Sequence, residues 1–227
     1  MPPPSFRKIC LPNGEIILCK GKPQDNRDNF ITEISAGLII NKLNMENFVR
    51  THGYTEDEVY LNYVPGPLLS KFKGPFEIML NYVLQVLLAT EIAYEKYGFT
   101  HYNLHRNNII IRPVKRRKLT YRLKDGNVHL YTDGIATIID FGRSYTDVTG
   151  GHTLEESNVY PKPNRFHDIY FFLHSALSRT YPDELREILS WYNVPVSLSP
   201  CRDIFKYTPK LISGKTLVRK CQKRFNL

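Results

Sequence analysis

Between Pro75 and Tyr97 the apolar residues Phe76, Met79, Leu80, Val83, Leu84, Leu87, Leu88 and Ile92 recur every three or four positions. This spacing predicts one long helix with a buried face, opened by Pro75 and closed by Gly98. The residues after Gly98 constrain the fold further. The chain leaves that helix directly into a polar stretch, Thr100-His101-Tyr102-Asn103-Leu104-His105-Arg106-Asn107-Asn108. Two short apolar runs, Asn108 to Arg112 and Ile135 to Ile139, read as strands, the second ending at Asp140. Between them Asp125-Gly126 predicts a hairpin with arms Leu119 to Leu123 and Val128 to Tyr131. An amide at Asn108 and a carboxylate at Asp140 are therefore expected at neighbouring strand ends, just beyond the exit of a core helix.

Upstream, Phe6 to Leu11 and Glu15 to Lys20 flank Pro12-Asn13-Gly14, the local signature of a tight antiparallel hairpin. Asp28 to Leu43 carries Phe30, Ile31, Ile34, Leu38, Ile39 and Leu43 at helical spacing behind Asp and Asn capping candidates, with Glu33 in its first half. Glu58 to Val64 reads as a strand broken by Pro65-Gly66-Pro67. Downstream, Arg143 to Asn164 lacks periodicity and contains Gly150-Gly151, so a mobile loop is expected. Asp168 to Ser178 is a strongly apolar helix, and the chain from Asp183 onward predicts two or three short helices interrupted at Pro195, Pro200 and Pro209.

A chain of 227 residues with 42% hydrophobic content can bury a core as one domain or two small lobes. Its longest uninterrupted apolar runs, such as Tyr170-Phe171-Phe172-Leu173, fall far below the roughly 18 residues of a membrane helix, and Met1 to Ser5 lacks the layout of a secretory signal. The expectation is a soluble intracellular protein with no membrane partner. Cys10, Cys19, Cys201 and Cys221 show no metal-ligand spacing, and buried reduced thiols are expected. The net charge of +9 is concentrated in two clusters, Lys115 to Lys118 with Arg122 and Lys124, and Lys215, Arg219, Lys220, Lys223 and Arg224. Each could meet an acidic partner or nucleic acid, or could be a solvated surface.

The polar stretch His101-Tyr102-Asn103-Leu104-His105-Arg106-Asn107-Asn108 resembles the H-x-D-L-x-x-x-N catalytic loop of protein kinases, and Asp140-Phe141-Gly142 resembles their D-F-G segment. The resemblance to the protein-kinase-like superfamily runs from about Glu15 to Leu177. It implies an α+β, bilobal fold: residues 1–66 as a reduced N-lobe of short antiparallel sheet plus one helix, and residues 67–227 as a minimal helical C-lobe carrying a basic hairpin insertion at 114–133. The segment from Tyr131 to Tyr145 behind that hairpin is similar to small kinase-like proteins of large DNA viruses, which would place the chain in host cytoplasm or a virion. The small kinase of the tRNA-modifying KEOPS complex is a second relative of similar length.

The resemblance also implies roles and cofactors. Asp140 and Asn108 would hold magnesium, and Lys20 would contact the phosphates of ATP while paired with Glu33. Lys22, on the same strand face as Lys20, competes for that role. Asp168 would brace the loop backbone, with His101 beside it. The chain departs from the pattern at two places. Asn103 stands where the catalytic-base aspartate belongs, and a neutral amide cannot accept the proton. The residues before Lys20 contain no G-x-G-x-x-G loop to cover phosphates, so nucleotide would be held loosely. His105, two positions beyond Asn103, would place charge near a phosphate or substrate hydroxyl. These features point to a pseudokinase or weakened kinase that binds ATP and magnesium and acts through a protein partner. The alternatives are an active serine/threonine kinase acting on protein substrates, and a small-molecule phosphotransferase, against which the D-F-G form argues.

Overall fold

A computed structural model of the chain describes residues 5–23, 27–150, 162–194 and 210–225. Strands β1 (Phe6–Cys10) and β2 (Ile16–Gly21) form the expected hairpin, closed by Leu11–Glu15 with Gly14 at φ 81°. Helix α1 (Arg27–Ile40) comes next, then β3 (Thr51–Tyr54) and β4 (Glu58–Asn62). The four strands make one antiparallel sheet in the order β1-β2-β4-β3. Strand β3 carries no apolar alternation in Thr51-His52-Gly53-Tyr54, and only its pairing with β4 makes it a strand.

Helix α1 lies close against this sheet because Gly37 faces β3. A Cβ at that position would collide with Thr51 Oγ1. The closeness brings Glu33, one turn earlier, over β2. Ile17 and Cys19 of β2 point into the core, while Leu18 and Lys20, on the opposite side, look into a cleft.

Helix α2 (Phe76–Tyr97) begins after Pro75 and ends at Gly98, whose left-handed φ of 61° lets its amide reach the carbonyls of Ala93 and Tyr94. Thirteen of its side chains are buried, from Met79 to Ala93. An 18-residue window of this helix reaches a mean hydropathy of 1.4, so periodic rather than continuous apolarity does meet the membrane criterion of length and composition. The window is 72% buried within the fold, which is the packing of a core helix.

The strands predicted separately on either side of the basic segment are continuous. β5 (Ile109–Leu123) and β6 (Gly126–Ile138) pair along their length as one long ribbon turning at Lys124-Asp125, with a register irregularity between Pro113 and Arg117. Polar and basic residues interrupt the apolar pattern there, but cross-strand hydrogen bonds do not require apolar side chains. The ribbon is pinned to α2 by Gln85, fully buried. Its Nε2 shares its two hydrogens among Asn81 Oδ1, Thr132 Oγ1 and Gly134 O, all within 3.1 Å, and its Oε1 accepts the Ala136 amide at 2.9 Å. A buried amide with its donors and acceptor engaged sets register at little cost.

Helices α3 (Arg165–Leu177), α4 (Pro182–Ser190) and α5 (Gly214–Phe225) complete the helical side. The result is a mixed α+β fold with a small β-sheet lobe and a helical lobe. Part of the expected loop between Arg143 and Asn164, the prolines at 195, 200 and 209, and Cys201 lie outside the described residues. Cys19 and Cys221 are buried as expected; Cys10, the last residue of β1, is instead exposed, as are most side chains of that strand among the described residues.

Glu91 of α2 ties three elements together. Its Oε1 lies 3.1 Å from Arg165 Nη2, which also donates to the Ile212 carbonyl at 3.1 Å, and the Gly214 amide at the start of α5 donates to the same carboxyl. Burial pushes this carboxyl up to about 7 in spite of the Arg165 guanidinium. The folded protein then holds one proton more than the unfolded chain between the ordinary value of 4.5 and about 7, so stability declines as pH rises through that window. Glu91→Gln is expected to flatten that decline, by on the order of 3 kcal/mol across the window. Urea unfolding at stepped pH measures it, and parallel curves for both proteins would refute it.

Candidate functional site

The polar loop after α2 is held from below by one carboxylate. Asp168 of α3, 2% exposed, accepts the His101 amide at 2.6 Å and the Tyr102 amide at 3.0 Å. His101, fully buried, packs its ring against Phe99 and Phe141, and its Nε2 lies 3.0 Å from the Ile139 carbonyl. Tyr102 takes a left-handed φ of 59°, sparsely allowed for a bulky residue, and its hydroxyl donates to the Lys162 carbonyl. The loop conformation is thus over-determined by α3 and by the segment that follows β6.

Asn108 closes a single 3₁₀ turn, Arg106–Asn108, immediately before β5. Its Nδ2 donates to the Asn103 carbonyl at 3.0 Å, which turns the amide oxygen to the other side. Across the ribbon, the Ile139 amide donates to the Asn108 carbonyl at 3.0 Å, and Asp140 comes next with a left-handed φ of 67°. Phe141 is fully buried between Phe48, Phe99 and His101, which leaves the Asp140 carboxylate on the cleft side, 41% exposed.

From the other lobe, Lys20 Nζ donates to Glu33 Oε2 at 2.6 Å and to Asp140 Oδ1 at 2.8 Å. Lys22 instead lies 4.0 Å from Asp57 on the surface. Burial pushes the Glu33 carboxyl up while Lys20 opposes it, leaving it above the usual range. Burial acts the same way on Asp140, but the Lys20 ammonium outweighs it and the net shift is downward. Lys20 is disfavoured as a cation by burial, yet the charges of Glu33 and Asp140 raise its pKa overall. The triad therefore carries a protonated lysine at neutral pH.

Lys20, Glu33, Asn108 and Asp140 line one hollow of about 340 Å³, within the usual size of small-molecule sites. Its remaining wall is largely apolar, including Leu18, Val49, Leu61, Ile110 and Ile139. Asn103 and His105 lie on the adjoining loop and do not line it. The Asn103 amide donates to His101 Nδ1 at 3.3 Å, and its carbonyl accepts the His105 amide at 3.0 Å. His105 packs beside Phe171, with Nδ1 buried and without a hydrogen-bond partner among the described residues. Burial and the neighbouring His101 lower its pKa. A larger hollow of about 520 Å³ beside the connection from α1 to β3 is lined by none of these six residues, and Glu46 at its rim is already paired with Arg112 and Arg117.

The donor set fits a nucleotide-bound hard cation better than a free-standing metal centre. Among the described residues no group of three or more His, Cys, Asp or Glu side chains could hold a metal by itself. One carboxylate and one amide oxygen beside an ammonium are the protein's usual share where phosphate oxygens supply the rest. Sequence reasoning missed Gln85, which positions β6, the strand that ends two residues before Asp140; one amide on the apolar face of a predicted core helix was its sole signal.

No protein-family model matches the chain. In an alignment of 155 positions that covers 62% of its length, it is 33% identical to a protein of Invertebrate iridescent virus 3 named Probable kinase 098L, of which it covers 30%. Over 137 residues it is 28% identical to Uncharacterized protein 179R of Invertebrate iridescent virus 6, covering 58% of this chain and 12% of that protein. The chain thus spans less than a third of the length of the curated relatives it matches. Among solved structures, the crystal structure of the Rad53 kinase domain and SCD2 aligns with a TM-score of 0.47 at 17% identity, covering 63% of this chain and 50% of that one.

Proposed function

We propose that the chain binds ATP with magnesium in the cleft between its lobes, and that it is a kinase-like protein with weak or absent phosphoryl transfer, acting through a protein partner. The observation that carries this reading is Lys20 bridging Glu33 and Asp140 beside Asn108, in a hollow whose remaining wall is largely apolar. In it the apolar wall takes the base, the Lys20 ammonium neutralises phosphate charge, and Glu33 holds that ammonium in place. Asp140 and Asn108 offer the oxygen ligands, and magnesium, when bound, would neutralise charge on the phosphates. The likeness to an iridescent-virus protein named as a probable kinase supports the same class. Asn103 has no lone pair basic enough to take a proton from an attacking hydroxyl, which is why transfer is assigned as weak.

A second reading, an active serine/threonine protein kinase, is favoured by the preformed Lys20–Glu33 pair, since placement and charge neutralisation supply most of phosphoryl transfer. Thermal unfolding with and without ATP and magnesium tests the shared premise. At a ligand concentration of about 100 times Kd, stabilisation of about 2.7 kcal/mol is expected, and Asp140→Ala should abolish it. No shift of the natural chain at millimolar ATP would overturn the proposal.

A further inference from the structure

The two faces of the β5–β6 ribbon differ in kind. Tyr121, Leu123, Val128 and Leu130 are buried against α2 and α5. On the outward face Lys118 stands opposite Tyr131, Thr120 opposite His129 and Arg122 opposite Asn127, all six exposed, and Tyr131 is 62% exposed. Arg116 continues this face at the bulge and Lys124 ends it at the turn, both exposed. Thr120 Oγ1 lies 3.0 Å from His129 Nδ1 and steadies that ring.

The nearby carboxylates are largely taken up elsewhere. Asp125 at the tip accepts Ser213 Oγ at 2.6 Å, while its carbonyl accepts Lys215 Nζ at 2.6 Å, so the second basic cluster is anchored beside the first. Glu46 at the base is paired with Arg112 and Arg117. Asp133 is the one acid on the outward face of the two strands, and it lies level with the bulge, beyond the Lys118–Tyr131 pair. Cations along β5 and its turn consequently flank two successive rings of β6 on an open surface, with cross-strand neighbours about 4.5–5.5 Å apart and successive outward residues about 6.6–6.8 Å apart.

We propose that this outward face, with Arg116, Lys118, Arg122 and Lys124 set around Tyr131 and His129, is a binding surface for single-stranded nucleic acid. The cations answer the phosphates through counterion release. The protruding tyrosine decides between polyanions: it gains from stacking on an unpaired base, whereas a duplex hides its base faces and an acidic peptide has none. This surface is separate from the cleft and does not depend on nucleotide binding there.

Fluorescence anisotropy of labelled oligo(dT) and oligo(U) of about 15 nucleotides, against the full chain in a salt series, tests the inference. Binding is expected to be tighter than to a duplex of the same length or to a polyglutamate peptide, and the two strands report whether DNA or RNA is preferred. With three or four phosphates neutralised, the slope of log affinity against log salt should be about −2 to −3. Tyr131→Ala should weaken binding ~5- to 150-fold with the slope unchanged. Lys118→Gln with Arg122→Gln should make the slope shallower by about 1.4. Matching unfolding midpoints verify that these exposed substitutions leave the fold intact. Absence of binding at low salt, equal affinity for polyglutamate, or an unchanged affinity in Tyr131→Ala would each overturn the proposal, the second by assigning the face to an acidic protein.

Discussion

Exchanging Asn103 for aspartate is expected to raise phosphate transfer to a generic protein substrate by roughly 10²- to 10⁴-fold, the usual contribution of a positioned base. The backbone there is already fixed: the Asn103 carbonyl accepts the Asn108 side chain and the His105 amide, and its own amide is held by His101. An aspartate of the same shape would occupy the same place with a lone pair able to take the proton. Because Asn103 does not line the hollow, nucleotide-dependent stabilisation should be unchanged by Asn103→Asp. A gain in rate without a gain in nucleotide binding is thus the signature sought. Equal and robust rates in the two proteins would show that the natural chain needs no base at this position, and the active-kinase reading would stand instead.

Asp168→Ala is expected to cost about 2–6 kcal/mol of stability. Its two oxygens each accept a buried backbone amide, from His101 and Tyr102. Removing them strands both donors away from water at about 1–3 kcal/mol apiece, a large share of the roughly 5–15 kcal/mol that holds a domain together. The left-handed Tyr102 would lose one of the contacts that keep it strained. Asp168→Asn, which retains one acceptor oxygen, should lose less. Denaturant unfolding reads both, and an alanine variant within about 1 kcal/mol of the natural protein would contradict the bracing role.

Local pattern carried much of the fold. The run from Phe76 to Ile92 has one helical period and distinct ends at Pro75 and Gly98, and the helix is found at Phe76–Tyr97. Pro12-Asn13-Gly14 and Asp125-Gly126 both sit at hairpin turns. Pattern failed where pairing rather than side chains makes the structure: Thr51–Tyr54 shows no alternation, and the middle of the long ribbon is basic on its exposed face. The aromatic component of that face was equally hidden. Tyr131 and His129 lie beyond the hairpin turn from Lys118 and Arg122, and only the strand register sets them side by side.

By itself the chain's order of residues determined which polar groups stand near predicted strand ends: the amide of Asn108, the carboxylate of Asp140, the lysines Lys20 and Lys22, and the neutral amide of Asn103. It could not determine that they meet. Lys20 and Asp140 are separated by 120 positions, and their 2.8 Å contact depends on backbone hydrogen bonds that join Asn47 and Val49 to Ile138 at the end of β6, a strand that Gln85 fixes against α2. That Lys20 meets Glu33 and Asp140 while Lys22 lies 4.0 Å from Asp57 was likewise decided by the fold. Periodicity and turn chemistry act over a few residues and are legible one segment at a time, whereas convergence of distant side chains depends on packing contacts that no single segment contains.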